Sequence, residues 1–193
     1  YNPYFRSVVT ELGLDDVVML DNDGNVVYTT RKRADLGSNV ARDEYRGGGL
    51  QQVYDAAIES NSSGFVSVGD FEHYLPAYGA PTMFIASPIG TADDLTGVLV
   101  YELSVEKLNT VLTGNEKPGV YEGLGKSGEA SLVGEHGTLR TASRELFENP
   151  GGFASKGVAT GTRPDVAERI VETRQTMLAL KDKSAPAREA SLG

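Results

Sequence analysis

The stretch Asp16-Val-Val-Met-Leu-Asp21-Asn-Asp-Gly24-Asn-Val-Val-Tyr28 decides the fold. Two short runs rich in β-branched residues flank Asp23-Gly24, and Asp-Gly between such runs is a strong hairpin signal. Val17–Leu20 is therefore expected as a strand, Asp21–Gly24 as its turn and Val26–Thr30 as the returning strand. Asp21, Asp23 and Asn25 resemble part of an EF-hand loop. The glycine falls at the wrong place and no Glu follows at position twelve, so a turn is expected here and not calcium.

Outward from the hairpin, Tyr4–Leu14 reads as the end of a helix, with Phe5, Val8, Val9 and Leu12 on one side and Gly13 stopping it. Arg31–Asp43 is polar and loop-like. Gly49–Ser60 carries Leu50, Val53, Tyr54, Ala57 and Ile58 at helical spacing. Phe65–Phe71 is strand-like, Tyr74–Pro81 a loop rich in Tyr, Pro and Gly, Met83–Ile89 a buried-type strand and Gly97–Leu103 another, with a turn at Asp93-Asp94 between them. Val105–Leu112 then starts a helix behind Ser104 as its cap. Helix, hairpin, helix and three strands make an α+β module, a PAS-like five-stranded antiparallel sheet with a flanking N-terminal helix.

The chain has 193 residues, one large domain or two small ones by length. With 39% hydrophobic and 23% charged residues it can build a core. No apolar run approaches the roughly 20 residues a membrane span needs, and Tyr1 opens mid-element with no signal-peptide pattern. Any membrane anchors are thus expected outside this sequence. A net charge of −9 argues against nucleic acid or anionic lipid as a partner. There is no cysteine, so disulfides, thiolate metal sites and cysteine nucleophiles are excluded. The two histidines, His73 and His136, lack metal-ligand spacing, and no G-x-S-x-G elbow supports a serine nucleophile. No cofactor and no enzymatic activity are expected.

Charge is uneven along the chain. Residues 1–115 hold 16 acids and 7 bases, whereas residues 116–193 hold 11 of each. That shift, with the turn-rich Thr113–Gly119, sets the expected division: a first module over 1–115 and a second over 116–193. The second opens with Gly128–Val133, a turn at Gly134–Gly137 and Thr138–Thr141. Aligning Gly24 with Gly137 sets Leu20 on Val133 and Val26 on Leu139, a short internal repeat of the same hairpin. Arg163–Lys181 reads as a long helix, capped by Thr162, with Pro164 in its first turn. Its Val166, Ile170, Thr173, Met177 and Leu180 suit packing on a sheet or a homodimer seam. The first module spends about 80 residues between its turn and its closing strand, more than remain after Gly137, so the second module is expected to be partial.

These residues resemble Cache-type extracytoplasmic sensor domains. The hairpin above carries the likeness, as do Asp35-Leu-Gly37-Ser-Asn39, Tyr45-Arg-Gly-Gly-Gly-Leu50, Gly79-Ala-Pro81-Thr-Met-Phe-Ile-Ala-Ser-Pro88 and Gly97-Val-Leu-Val-Tyr-Glu-Leu-Ser-Val-Glu-Lys-Leu108. Gly123-Leu-Gly-Lys-Ser-Gly-Glu-Ala-Ser-Leu-Val133 resembles the start of the second module of a double Cache. The resemblance implies a membrane-distal ligand-binding module of a bacterial chemoreceptor, histidine kinase or nucleotide cyclase, anchored in the cell membrane. Its ligand would be a small molecule such as an amino acid, an amine or a carboxylate. The alternative is a non-sensing dimerisation or partner-binding module that reads a periplasmic binding protein.

In such modules the pocket lies between the sheet and the layer over it. Val98, Val100 and Glu102 share one strand face, and Val66, Val68 and Asp70 share another. If those faces point inward, Asp70 and Glu102 are acids beside apolar walls, placed to grip an ammonium group; otherwise Asp70 caps a turn and Glu102 faces water. A buried acid needs a partner or stays protonated. Tyr45 and Arg46 fall loosely on the amino-acid-binding pattern of the family, whose Trp is absent. Tyr74 and Tyr78 are candidates for a lid, and Phe84, on the strand before Glu102's, completes the expected ligand-binding set. Gly47-Gly48-Gly49 before a helix suits an anion or a flexible loop, and Arg31-Lys32-Arg33 suits solvent, a ligand carboxylate or an acidic partner.

Overall fold

The computed structural model describes residues 2–60, 62–91, 94–113, 124–125, 128–134, 136–174 and 176–181. The chain divides into two compact units, Tyr1–Ser104 and Val105–Gly193. The linker expected at 113–119 lies, beyond Thr113, outside the described residues, as do Asp93 and parts of the 123–133 motif. Among the described residues no helix is long and apolar enough to cross a membrane.

The first unit is α+β. Helix α1 (Asn2–Leu12) precedes strands β1 (Asp16–Leu20) and β2 (Val26–Thr29). Helix α2 (Gly49–Ser60) leads to β3 (Ser67–Val68), β4 (Glu72–Tyr74), a one-turn 3-10 helix (Leu75–Ala77), β5 (Ala80–Thr91) and β6 (Asp94–Ser104). The sheet is antiparallel in order β2-β1-β6-β5-β3, with β4 also on β5.

The predicted hairpin forms. Asp21 Oδ1 accepts the N–H groups of Asp23 and Asn25 at 3.0 and 2.9 Å, and Oδ2 accepts Asn25 Nδ2. The aspartate thus closes its own turn, which needs the positive φ of 82° that Gly24 supplies. Asn39 Nδ2 ties the loop beyond β2 back onto Asp23 O and Asn25 Oδ1. Helix α1 ends at Gly13 as expected, with Leu14 N–H donating to Val9 O at 2.9 Å.

Among the described residues the sheet has six strands, not five, because the expected strand Phe65–Phe71 is broken. Val68 pairs with Ile85 but Glu72 with Thr82, so four steps on one side oppose three on the other. This is a bulge, and the extra residue exchanges the faces. Val66 and Val68 point to solvent, whereas Tyr74, beyond the bulge, is buried and ends a strand that the sequence reading had as loop.

The inner face carries Val18 and Leu20 of β1, Phe84 and Ala86 of β5, and Val98 and Val100 of β6. Leu50, Val53, Tyr54 and Ala57 of α2 cover it, at the spacing read from the sequence, together with Val40 and Tyr45 of the preceding segment. Tyr54 also donates its hydroxyl to Asp21 O at 3.1 Å, tying α2 to the hairpin.

In the second unit α3 (Val105–Thr113) is followed by α4 (Arg144–Glu148), α5 (Pro150–Ala159) and α6 (Pro164–Thr173). The repeated hairpin is present as the pair Val133–Leu139 with Gly134 N–H donating to Thr138 O. The helix expected over Arg163–Lys181 is shorter, Pro164–Thr173. It stops at Thr173, where Arg174 turns left-handed at φ 53°. Arg163, not Thr162, is its cap residue. The chain then runs beside the hairpin: Leu139 N–H donates to Leu180 O, Leu178 N–H donates to Leu139 O, and Thr138 pairs with Lys181. Met177 and Leu180 therefore lie off the helix, and the five-residue seam does not form. Helix α5 was not foreseen. Its signal is Asn149-Pro150, a cap accepting Gly152 N–H at 3.1 Å followed by proline at the first position, masked by three glycines.

Candidate functional site

One row across the sheet concentrates the chemistry. Asp16 on β1 pairs with Glu102 on β6, which pairs with Phe84 on β5. All three are fully buried on the inner face. The alternation that set Val98, Val100 and Glu102 together holds, and their face is the inner one.

Glu102 meets Arg33 from the segment after β2. Arg33 Nη1 is 2.5 Å from Glu102 Oε1, and its Nη2 is 2.6 Å from Asp15 Oδ2. Arg31 adds a second contact to Asp15 at 3.1 Å with its side chain half exposed. Arg33 thus spends its fork on the protein's own carboxylates, and the ligand-carboxylate reading of Arg31-Lys32-Arg33 gives way to internal pairing. Lys32 lies 4.0 Å over the Tyr28 ring.

Glu102 Oε2, by contrast, is buried with no hydrogen-bond donor, as is Asp35 Oδ1. Asp35 Oδ2 accepts the Tyr74 hydroxyl at 2.9 Å. Tyr74 in turn packs edge-on against Phe84 at 4.9 Å and lies 6.0 Å from Tyr45. Asp16 is fully engaged: Oδ1 accepts Val17, Thr30 and Arg31 N–H groups at 2.7 to 3.1 Å. The Thr30 hydroxyl is, among the described residues, the third buried side-chain polar atom without a partner.

Electrostatics follow from burial. Desolvation pushes the Glu102 carboxyl up to about 8; the adjoining Asp15 carboxyl adds to the rise and Arg33 opposes it. Burial also raises Asp35 and Asp16. For Asp15 burial works upward too, but the hydrogen bond from Arg33 and the surrounding charges hold it below the ordinary carboxylate range. Burial and the neighbouring Asp35 keep Tyr74 firmly neutral, and burial with Glu44 pushes Tyr45 up to about 12.

The structure therefore brings together Tyr45, Tyr74, Phe84 and Glu102 of the expected residues. It sets the other three apart. Asp70 is exposed, and its carboxylate accepts the Phe71 N–H at 2.7 Å within the bulge. Arg46 is exposed. Tyr78 is 96% exposed at a left-handed turn. The residues that sequence reasoning missed are Asp15, Asp16 and Asp35.

The glycine run is also resolved. Glu72 Oε1 accepts Gly49 N–H at 2.8 Å, so a carboxylate of the protein itself sits at the start of α2. A Cβ at Gly48 would stand 3.1 Å from that oxygen, which explains the absence of a side chain there.

No protein-family model matches the chain, and no curated protein sequence matches it. Solved structures do. The ligand-binding domain of the Campylobacter jejuni chemoreceptor Tlp3, in complex with 4-methylisoleucine, is similar at TM-score 0.52 and 14% identity, covering 77% of this chain and 52% of that one. The sensory domain of the same receptor with isoleucine bound gives 0.50 and 16%, covering 76% and 52%. The chain thus spans about half the length of these two domains. Its fold is similar to that of these two sensory domains.

Proposed function

We propose that this chain is part of the extracytoplasmic sensory region of a membrane-anchored bacterial receptor. Its first module, residues 1–115, binds a small polar molecule under α2 and the 31–48 segment. The observation that carries this reading is a pair of fully buried carboxylate oxygens, Glu102 Oε2 and Asp35 Oδ1, with no donor, beside the Tyr45, Tyr74 and Phe84 rings. A buried acceptor left unsatisfied costs a few kcal/mol, roughly 1–3 or more for a charged group, and a ligand that donates to it recovers that energy. The likeness in fold to sensory domains supports the same reading.

The covering segment lifts to admit the ligand and closes on it. Closure at Glu102, two residues before β6 ends, biases the receptor between two states by a differential affinity of about 1–3 kcal/mol. The module performs no catalysis. A thermal-shift screen of the chain against amino acids, amines, small carboxylates and nucleobases tests this. A melting temperature that rises with the logarithm of ligand concentration supports direct sensing. No rise with any compound rejects it in favour of a module that reads a protein partner.

A further inference from the structure

The charge balance around the two orphan oxygens says more about the ligand. Building on the sensory reading above, we infer that the site takes an organic amine or guanidine that carries no carboxylate, and not an α-amino acid. An α-amino acid presents an ammonium and a carboxylate side by side, so its site needs a cation or free N–H donors next to the acid that holds the ammonium. This cluster offers four acids, Asp15, Asp16, Asp35 and Glu102. Among the described residues the guanidinium recorded against Glu102 is Arg33, whose Nη1 donates to Glu102 and whose Nη2 donates to Asp15. Arg31 donates to Asp15, and Arg46 is exposed.

Among the described residues the buried side-chain atoms still without a partner are two carboxylate oxygens and one hydroxyl, Thr30 Oγ1. A ligand carboxylate brought there lies among the Asp15, Asp16 and Asp35 carboxyls, with the Thr30 hydroxyl and the Glu102 O–H to receive it. An ammonium or guanidinium meets two acceptors, and the faces of Tyr45, Tyr74 and Phe84 suit a cation as well. In the ligand-free protein Glu102 retains a proton, because burial and the Asp15 carboxyl outweigh the pull of Arg33. An arriving N–H donor takes that proton's place.

The test is isothermal titration of the chain with matched pairs that differ only in the carboxylate: agmatine and arginine, tyramine and tyrosine, 2-methylbutylamine and isoleucine. The expected result is at least one amine bound at least ~10-fold more tightly than its amino acid, a gap of about 1.4 kcal/mol. Glu102→Gln and Asp35→Asn each erase that gap; two variants are used so that a folding defect in one, checked by circular dichroism, leaves the other. Amino acids binding as tightly as their amines, or binding confined to acids or neutral nucleobases, overturns the amine assignment while the sensory reading stands. No binding by any class overturns both.

Discussion

Arg33 Nη1 lies 2.5 Å from Glu102 Oε1, joining two residues 69 positions apart, and the same guanidinium reaches Asp15, the residue before β1. One side chain thus ties the segment after β2 to the end of β6 and leaves half of the Glu102 carboxyl unsatisfied. The arrangement is costly to break, because removing one partner of a buried pair strands the other.

Arg33→Met is therefore expected to lower stability by about 3–5 kcal/mol in urea unfolding, and Arg33→Met combined with Glu102→Leu to recover most of it. A loss under ~1 kcal/mol for the single variant would mark the pair as a surface contact with little weight.

Glu102 also sets a pH dependence. Its carboxyl titrates near 8 in the folded chain against an ordinary 4.5, so the folded state holds the extra proton. Stability from this group is complete below pH 4.5 and is lost as pH rises towards 8. Denaturation midpoints should fall over that range by an amount worth a few kcal/mol, roughly 1.4 per unit at most, and Glu102→Gln should flatten the slope. A wild-type profile that climbs between those values would show that Glu102 is ionised throughout.

Glu72 is the built-in anion at the start of α2. Glu72→Ala should cost about 1–2 kcal/mol, and Glu72→Gln, which keeps an acceptor for Gly49 N–H, about half as much. Equal losses for the two variants, read by differential scanning calorimetry, would mean that packing and not the hydrogen bond matters there.

Gly97 has a φ of 153°, and a Cβ on it would lie 2.2 Å from the Leu20 carbonyl oxygen across the β1–β6 pair. Gly97→Ala is expected to destabilise the chain by more than about 2 kcal/mol and to weaken hydrogen-exchange protection along β1 first. Uniform protection in that variant would contradict the register described here.

What the sequence made legible was local. The hairpin could be read because Asp21 closes its own turn through bonds that span at most four residues. The inward face of β6 could be read because alternation runs unbroken from Val98 to Glu102. Asp70 could not be placed, since its parity depends on a bulge that only the pairing with β5 reveals. Arg33 looked like a solvated basic run, and its true partners come from the far end of the sheet. The end of α6 was hidden for a different reason. Arg174 takes the left-handed conformation with no glycine or asparagine to announce it, because pairing with Leu139 draws the chain away.

Glu102 is the residue that the proposed ligand must touch, and one comparison tests it. The amine that gives the largest thermal shift on the wild-type chain is titrated calorimetrically into wild type, Glu102→Gln and Glu59→Gln, the last an exposed acid on α2. Affinity should fall by ~10-fold or more in Glu102→Gln alone, with protons released on binding to wild type near pH 7 and not to that variant. Equal affinity and equal proton release in all three would contradict a ligand held by this buried carboxylate.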